Sequence, residues 1–233
     1  MTAWEEIERA RSLELKNEDG EPVELKLLPP YSEAQLEQLS AAVGKPLPRE
    51  LVEFLHRCGG VEGFYINFGS PEALPPTTHR WPWAQVFPHC VRIAGLDGDE
   101  WILDVNSTTS EVAPVFYAAH EGGVFFHSPS LADFVHRAVA DLEHEPEEDL
   151  IWKFERNQGA LKQEAAAASP DEAVRAFAAS LDHRFTIMDL RNAEIGRGFW
   201  YGHSNELRRQ GEERIFAWAK PERVGLWKRL FSR

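Results

Sequence analysis

Cysteine is scarce in this chain. Cys58 and Cys90 are the two in 233 residues, too few and too far apart for a disulfide framework or a paired-cysteine zinc template, and they suit a reducing compartment. Long apolar runs are also missing, and none approaches the ~20 residues that cross a bilayer. The first residues, MTAWEEIERARSLEL, are charged where a secretory signal carries an apolar core, so the expectation is a cytoplasmic protein with no membrane contact. Positive charge is short as well: 25 Lys and Arg stand against 38 Asp and Glu, a net of −13. That balance argues against duplex nucleic acid as the main partner, since phosphate binding needs clustered cations. The deficit is uneven, because residues 204–233 carry a net of +4, which leaves −17 for the remainder of the −13 total.

Templates for chemistry are equally thin. There is no Gly-x-Ser-x-Gly elbow, phosphate loop or dinucleotide fingerprint, and no His-x-x-x-His pair with an adjacent Glu. The expectation is therefore no cofactor, no metal and no catalytic residue. Cys58 lies two residues from His56 on one helix, where side chains point to different faces, so it reads as a small buried hydrophobe. His120, Glu121 and His127 end adjacent strands and could approach one another, but spacing this generic favours ordinary strand-end histidines. The carboxylates Asp97, Asp99, Glu100 and Asp104 cluster in and beside a turn. They are the one acid/base candidate, and Asp-Gly-Asp is ordinarily turn chemistry.

What the chain does have is core material and clear punctuation. Its composition is 43% hydrophobic, with eight Trp and fourteen Phe, ample for a packed interior. Thr2 with Glu5 predicts a capped N-terminal helix carrying Trp4 and Ile7. Ser32 with Gln35 predicts a second, with Leu36, Leu39 and Val43 on one face, and Gly44 and Pro46 end it. Pro48 opens a third, whose Leu51, Phe54, Leu55 and Cys58 form one buried stripe before Gly59-Gly60. Residues 63–68 read as a strand. Residues 70–89 form a long irregular stretch with five prolines, Trp81 and Trp83. Asp97-Gly98 joins two strands as a hairpin, and two more strands complete a meander of about four. Ser130 caps a helix with Leu131, Phe134, Val135, Ala138, Val139 and Leu142 on its apolar face. Residues 141–149 are acidic, residues 150–168 look helical, and Ser169-Pro170-Asp171-Glu172 starts another helix. Strand-like segments return at residues 185–190, 198–201 and 214–219, ahead of a basic tail.

One string is more specific than its periodicity. An apolar-Pro entry, an acidic helix, then Val43-Gly44-Lys45-Pro46-Leu47-Pro48 and Leu51-x-x-Phe54-Leu55 ending in Gly59-Gly60 resembles the SUKH superfamily, which includes fungal cell-wall-assembly regulators and bacterial toxin-immunity proteins. Trp101 to Asp104, Ala113 to Tyr117 and Ser130 to Val135 resemble that family's later strands and closing helix, in order. The resemblance covers roughly residues 28–142. It implies an α+β fold: a twisted, mostly antiparallel sheet of about six strands with helices packed on one side. An α/β C-terminal extension would follow. The corresponding organisation is an N-terminal helix and strand (1–27), a SUKH-like core (28–142), an acidic linker with helices (143–182) and a β-rich extension with a basic tail (183–233).

The resemblance also implies a non-enzymatic protein-binding module, of immunity type, that neutralises a toxin; a basic toxin domain would suit the acidic charge. The alternatives are a regulatory scaffold resembling the fungal members, and an enzyme using the Asp97–Asp104 carboxylates. The expected binding face combines Trp81 and Trp83 as aromatic anchors with an acidic rim of Asp97, Asp99 and Glu100.

Overall fold

The computed structural model describes residues 1–17, 20–69, 71–73, 82–105, 111–143, 155–202 and 206–220. In chain order come α1 (Ala3–Ala10), β1 (Leu15–Lys16), β2 (Pro22–Val23), β3 (Lys26–Leu27), α2 (Glu33–Val43), α3 (Arg49–Leu55), β4 (Val61–Glu62) and β5 (Glu72–Ala73). A 3-10 turn (Pro82–Val86) leads into β6 (Cys90–Leu96), β7 (Asp99–Asp104), β8 (Val115–Ala119), β9 (Gly123–Ser128) and α4 (Leu131–Glu143). The remainder is β10 (Glu155–Arg156), β11 (Leu161–Lys162), α5 (Gln163–Ala167), α6 (Glu172–Ala179), β12 (Thr186–Asp189), β13 (Arg197–Trp200), β14 (Glu206–Arg209) and β15 (Ile215–Ala219).

The helix boundaries follow the capping residues. Thr2 and Ser32 each accept a backbone N–H from the third helical residue, and Glu5 and Gln35 return the bond, so both capping boxes form. Gly44 ends α2 in the left-handed conformation at φ 75°. Ser130 Oγ accepts the Asp133 N–H, while the Glu50 carboxylate reaches across from α3 to take the Leu131 and Ala132 N–H groups at 3.0 and 2.7 Å.

Two sheets stack between two helical layers. The larger has seven strands in the order β10-β13-β9-β8-β7-β6-β5 and the smaller has four, β11-β12-β15-β14. The large sheet is antiparallel apart from its β10–β13 edge pair, so the α+β class holds. On one face α1 to α4 bury Ile7, Leu51, Phe54, Leu55, Cys58, Phe134 and Val139 against Val91, Trp101, Leu103, Val115, Tyr117 and Phe125. The stripe expected on α3 lies in this core with Trp101 and Phe134.

The other face is where the structure goes beyond helices on one side. Ile102, Phe116, Ala118, Val124 and Phe126 pack against Met188, Leu190, Leu207, Phe216 and Trp218 of the second sheet. Behind that sheet, α5 and α6 bury Ala166, Val174 and Phe177 on Ile187, Ile215 and Ala217. The C-terminal segments therefore complete the large sheet and cover it. β13 pairs with β9, Gly198 opposite Phe125, and a Cβ at Gly198 would lie 2.1 Å from the Val124 carbonyl oxygen.

Two expected elements differ. Residues 63–66 are bends, with strand-like bridges at Asn67 and Phe68. Among the described residues of the 150–168 segment the helix is confined to Gln163–Ala167, preceded by β10, a turn and β11. Asn157 and Gly159 adopt left-handed conformations there, at φ 58° and 83°. Asn157 Oδ1 accepts the Trp200 N–H, so a long-range contact overrides the local helical propensity. Residues 150–154 and the basic tail lie outside the described residues.

Candidate functional site

The β6–β7 turn is built as its sequence requires. Asp97 and Gly98 both have positive φ, 50° and 95°, the pattern of a tight two-residue hairpin loop in which Asp tolerates the left-handed region and Gly favours it. Leu96 then stands opposite Asp99, and Gly95 opposite Glu100. A shift in register between Arg92 and Ala94 marks a bulge, which turns Ile93 and Ala94 into the same core. Gly95 also exchanges backbone hydrogen bonds with Asn67, at 2.9 and 3.1 Å. Between these segments lies an open groove of about 400 Å3, walled by Asn67 and Gly69 on one side and by the β6–β7 hairpin on the other.

Asp97, Asp99 and Glu100 all line this groove, with Arg92 the one basic side chain among its described lining residues. Their roles differ. Asp97 is exposed at the tip. Asp99 is a brace: its carboxylate accepts from the Tyr117 hydroxyl, from the His120 backbone N–H at 2.8 Å, and is 2.6 Å from His120 Nδ1. It thereby ties the hairpin to the end of β8. Burial first, and the bond to Asp99 next, push the Tyr117 phenol well above its usual range, so it remains a neutral donor at any physiological pH.

The expected aromatic anchors are not on this groove. Trp83 is completely buried, packed in the core between the two sheets with Phe87, Phe116 and Phe216. Trp83 is thus withdrawn as a surface anchor, because burying an indole recovers more apolar area than a loop tip can. Trp81 lies outside the described residues.

The carboxylates proposed for an enzyme are separated too. Asp99 and Asp104 occupy opposite ends of β7, about 17 Å apart at ~3.3 Å per strand residue. Asp104 is only 2% exposed and forms a two-pronged ion pair with Arg209, at 3.1 and 2.7 Å. The Arg209 guanidinium also donates to the carbonyls of Val86, Glu212 and Glu213 and lies 5.3 Å from the ring centres of both Phe87 and Phe216. This clasp locks the two sheets together, and no sequence signal distinguished Arg209 from its neighbour Arg208.

Other candidates resolve as structure. Cys58 donates its thiol to the Gly60 carbonyl at 2.7 Å, and burial raises its pKa. Cys90 is likewise buried and pushed up by desolvation. Such thiols are poor nucleophiles. His120 and His127 sit at opposite ends of the β8–β9 hairpin, the first bonded to Asp99, the second 2.7 Å from Ser128 Oγ. Among the described residues no group of three or more His, Cys, Asp or Glu side chains could hold a metal ion, and no helix is long and apolar enough to cross a membrane.

Residues 30–137 match the sequence profile of the SMI1 / KNR4 family (SUKH-1), just under half of the chain. No curated protein and no solved structure matches it.

Proposed function

Residues 30–137 make this chain a member of the SUKH superfamily, and from that premise we propose that it is a protein-binding module of immunity type that neutralises a basic toxin domain. The observation that carries this reading is the acidic groove. Asp97, Asp99 and Glu100 line one depression on a chain of net charge −13. Their backbone is fixed by a tight turn and by the Asp99 brace, so the negative charge is presented without an ordering cost on binding. A partner that itself acts on nucleic acid is basic, because it must hold phosphates. A preorganised acidic groove would steer such a partner and cover its cationic site. Family membership supports a binding role over catalysis, and Asp104, held by Arg209, is unsuited to acid/base work.

The test is coexpression with the product of any toxin-like gene adjoining the locus, followed by binding kinetics. The expected outcome is that the wild-type protein restores growth. Reversing the groove charge (Asp97→Lys with Glu100→Lys) should slow association at least ~10-fold at low salt and flatten its salt dependence. Asp99 is left untouched in that variant, so the turn keeps its brace. An association rate unaffected by the reversal would remove the groove from the binding face. Stable purification with a housekeeping assembly, and no growth rescue, would instead favour the regulatory scaffold.

A further inference from the structure

A second cavity opens on the helical face of the large sheet, bounded by residues 64–66, β7, β9 and α4. It is small, about 40 Å3, and its walls are aromatic, with Trp101, His127 and Phe134 converging on it. The Trp101 and His127 rings meet edge to face, 6.3 Å between centres, and the His127 and Phe134 rings are 5.5 Å apart. Tyr65, 57% exposed, stands at the rim.

The cavity is marked by a buried donor with no acceptor among the described residues. Trp101 is 2% exposed, and among the described residues its indole Nε1 has no hydrogen-bond partner. Native interiors satisfy the large majority of such groups, so an unmatched one offers a docking point for an acceptor that arrives from outside. The charged residues at the rim narrow the choice. Arg137, its Nε 2.7 Å from Asp133 Oδ2, and Asp141 line the cavity from the same face of α4, one turn apart. Arg137 is already paired with Asp133, so an anion entering the cavity would be repelled by Asp141, and a cation could accept nothing from the indole N–H. A neutral dipolar group meets neither penalty. At ~10–15 Å3 for each water-sized atom, the space holds about three heavy atoms.

We propose that the Trp101–His127 cavity is a recognition pocket for a primary carboxamide, the end of an Asn or Gln side chain on a protein partner, with the amide oxygen accepting the Trp101 indole N–H. The source of the amide rests on the protein-binding reading; the pocket's chemistry does not. His127, with Nδ1 2.7 Å from Ser128 Oγ, also lines the cavity and offers the amide a second polar contact. Burial, with the nearby Arg137 charge second, pushes the imidazole down to about 4, against the smaller opposing effect of Asp133, so the ring is neutral near pH 7 and repels neither end of the dipole.

The experiment uses the full chain labelled with nitrogen-15 and follows the Trp101 indole N–H, assigned by through-bond correlations. Titration with propionamide should shift that signal saturably in the millimolar range, while propionate and propylamine leave it in place. Ala138→Leu, which fills the cavity from α4 while keeping the indole, should abolish the shift, and its own amide spectrum reports whether it is folded. Failure of propionamide to move the Trp101 signal overturns the pocket, and so does an equal response to propionate. Partner capture without amide binding would sink the pocket alone, whereas amide binding without toxin neutralisation would leave the pocket standing and remove the immunity reading.

Discussion

Phe54 occupies the centre of the helical core at 1% exposure, stacked 5.5 Å from Phe68, which in turn meets Phe134 edge-on at 5.7 Å. Truncation to alanine removes one ring of a three-ring contact that cannot collapse without moving both a helix and the 61–68 segment. Phe54→Ala should therefore cost about 3–5 kcal/mol in urea denaturation, and a loss under ~1 kcal/mol would mean that the stripe is not the core. His127 gives a residue-scale prediction in pH. Its folded pKa, near 4, lies below the unfolded value of about 6.5. Between those values the unfolded chain binds the proton and the folded one does not, so this residue's contribution is fully present above pH 6.5 and declines as pH falls toward 4. Glu50 and Asp141, raised by burial, act in the opposite direction as the solution is acidified. The measurable quantity is thus the difference between wild type and His127→Phe: the variant's stability should fall less between pH 7 and pH 4, by up to about 3 kcal/mol. Parallel curves would place the imidazole in water.

At the scale of elements, the decisive joint is between β7, β14 and the 3-10 turn at Pro82–Val86. Asp104 and Arg209 meet there with side chains 2% and 4% exposed. Neither charge has water to fall back on, so removing one leaves the other stranded. Asp104→Asn should destabilise by about 3–5 kcal/mol, whereas the paired replacement Asp104→Leu with Arg209→Met should recover most of that loss. A single variant as stable as wild type would show the clasp to be incidental. The same joint explains Trp83. The 3-10 turn that carries it is held by Arg209 through the Val86 carbonyl, and this aims the indole between the sheets rather than outward.

For the molecule as a whole, the consequence is that the large sheet and its covering layers extend beyond the segment of the family match. That sheet is apolar on both faces. The helices cover one, and residues 155–220 supply both a neighbouring strand and the second cover. A chain cut after Leu142 would present Ile102, Phe116, Val124 and Phe126 to water as one contiguous patch, beyond what soluble monomers tolerate. The expected result is aggregation, or a loosely packed state that binds hydrophobic dyes. A monomeric, cooperatively unfolding 1–142 fragment would make the C-terminal half a separate domain.

The local elements were legible because their causes are local. The capping boxes at Thr2 and Ser32, the Gly44 stop, the Leu51-Phe54-Leu55-Cys58 stripe and the Asp97-Gly98 turn each rest on residues within one or two turns of one another. Family membership was legible for the same reason, since its string of residues is contiguous. The three groove acids were readable as a cluster because a two-residue turn holds them together. What only the tertiary structure decided is how both faces of the sheet are used. Val115 to Ala119 is apolar at every position, which already departs from the alternation of a half-wet strand, but nothing in that run names the covering layer. Pairing of β13 with β9 joins residues more than seventy positions apart, and the Asp104–Arg209 clasp spans 105. Contacts at such separation depend on loop closure and packing of the entire core, and for that reason Trp83, Asp104 and Asn157 took roles that their immediate neighbours do not dictate.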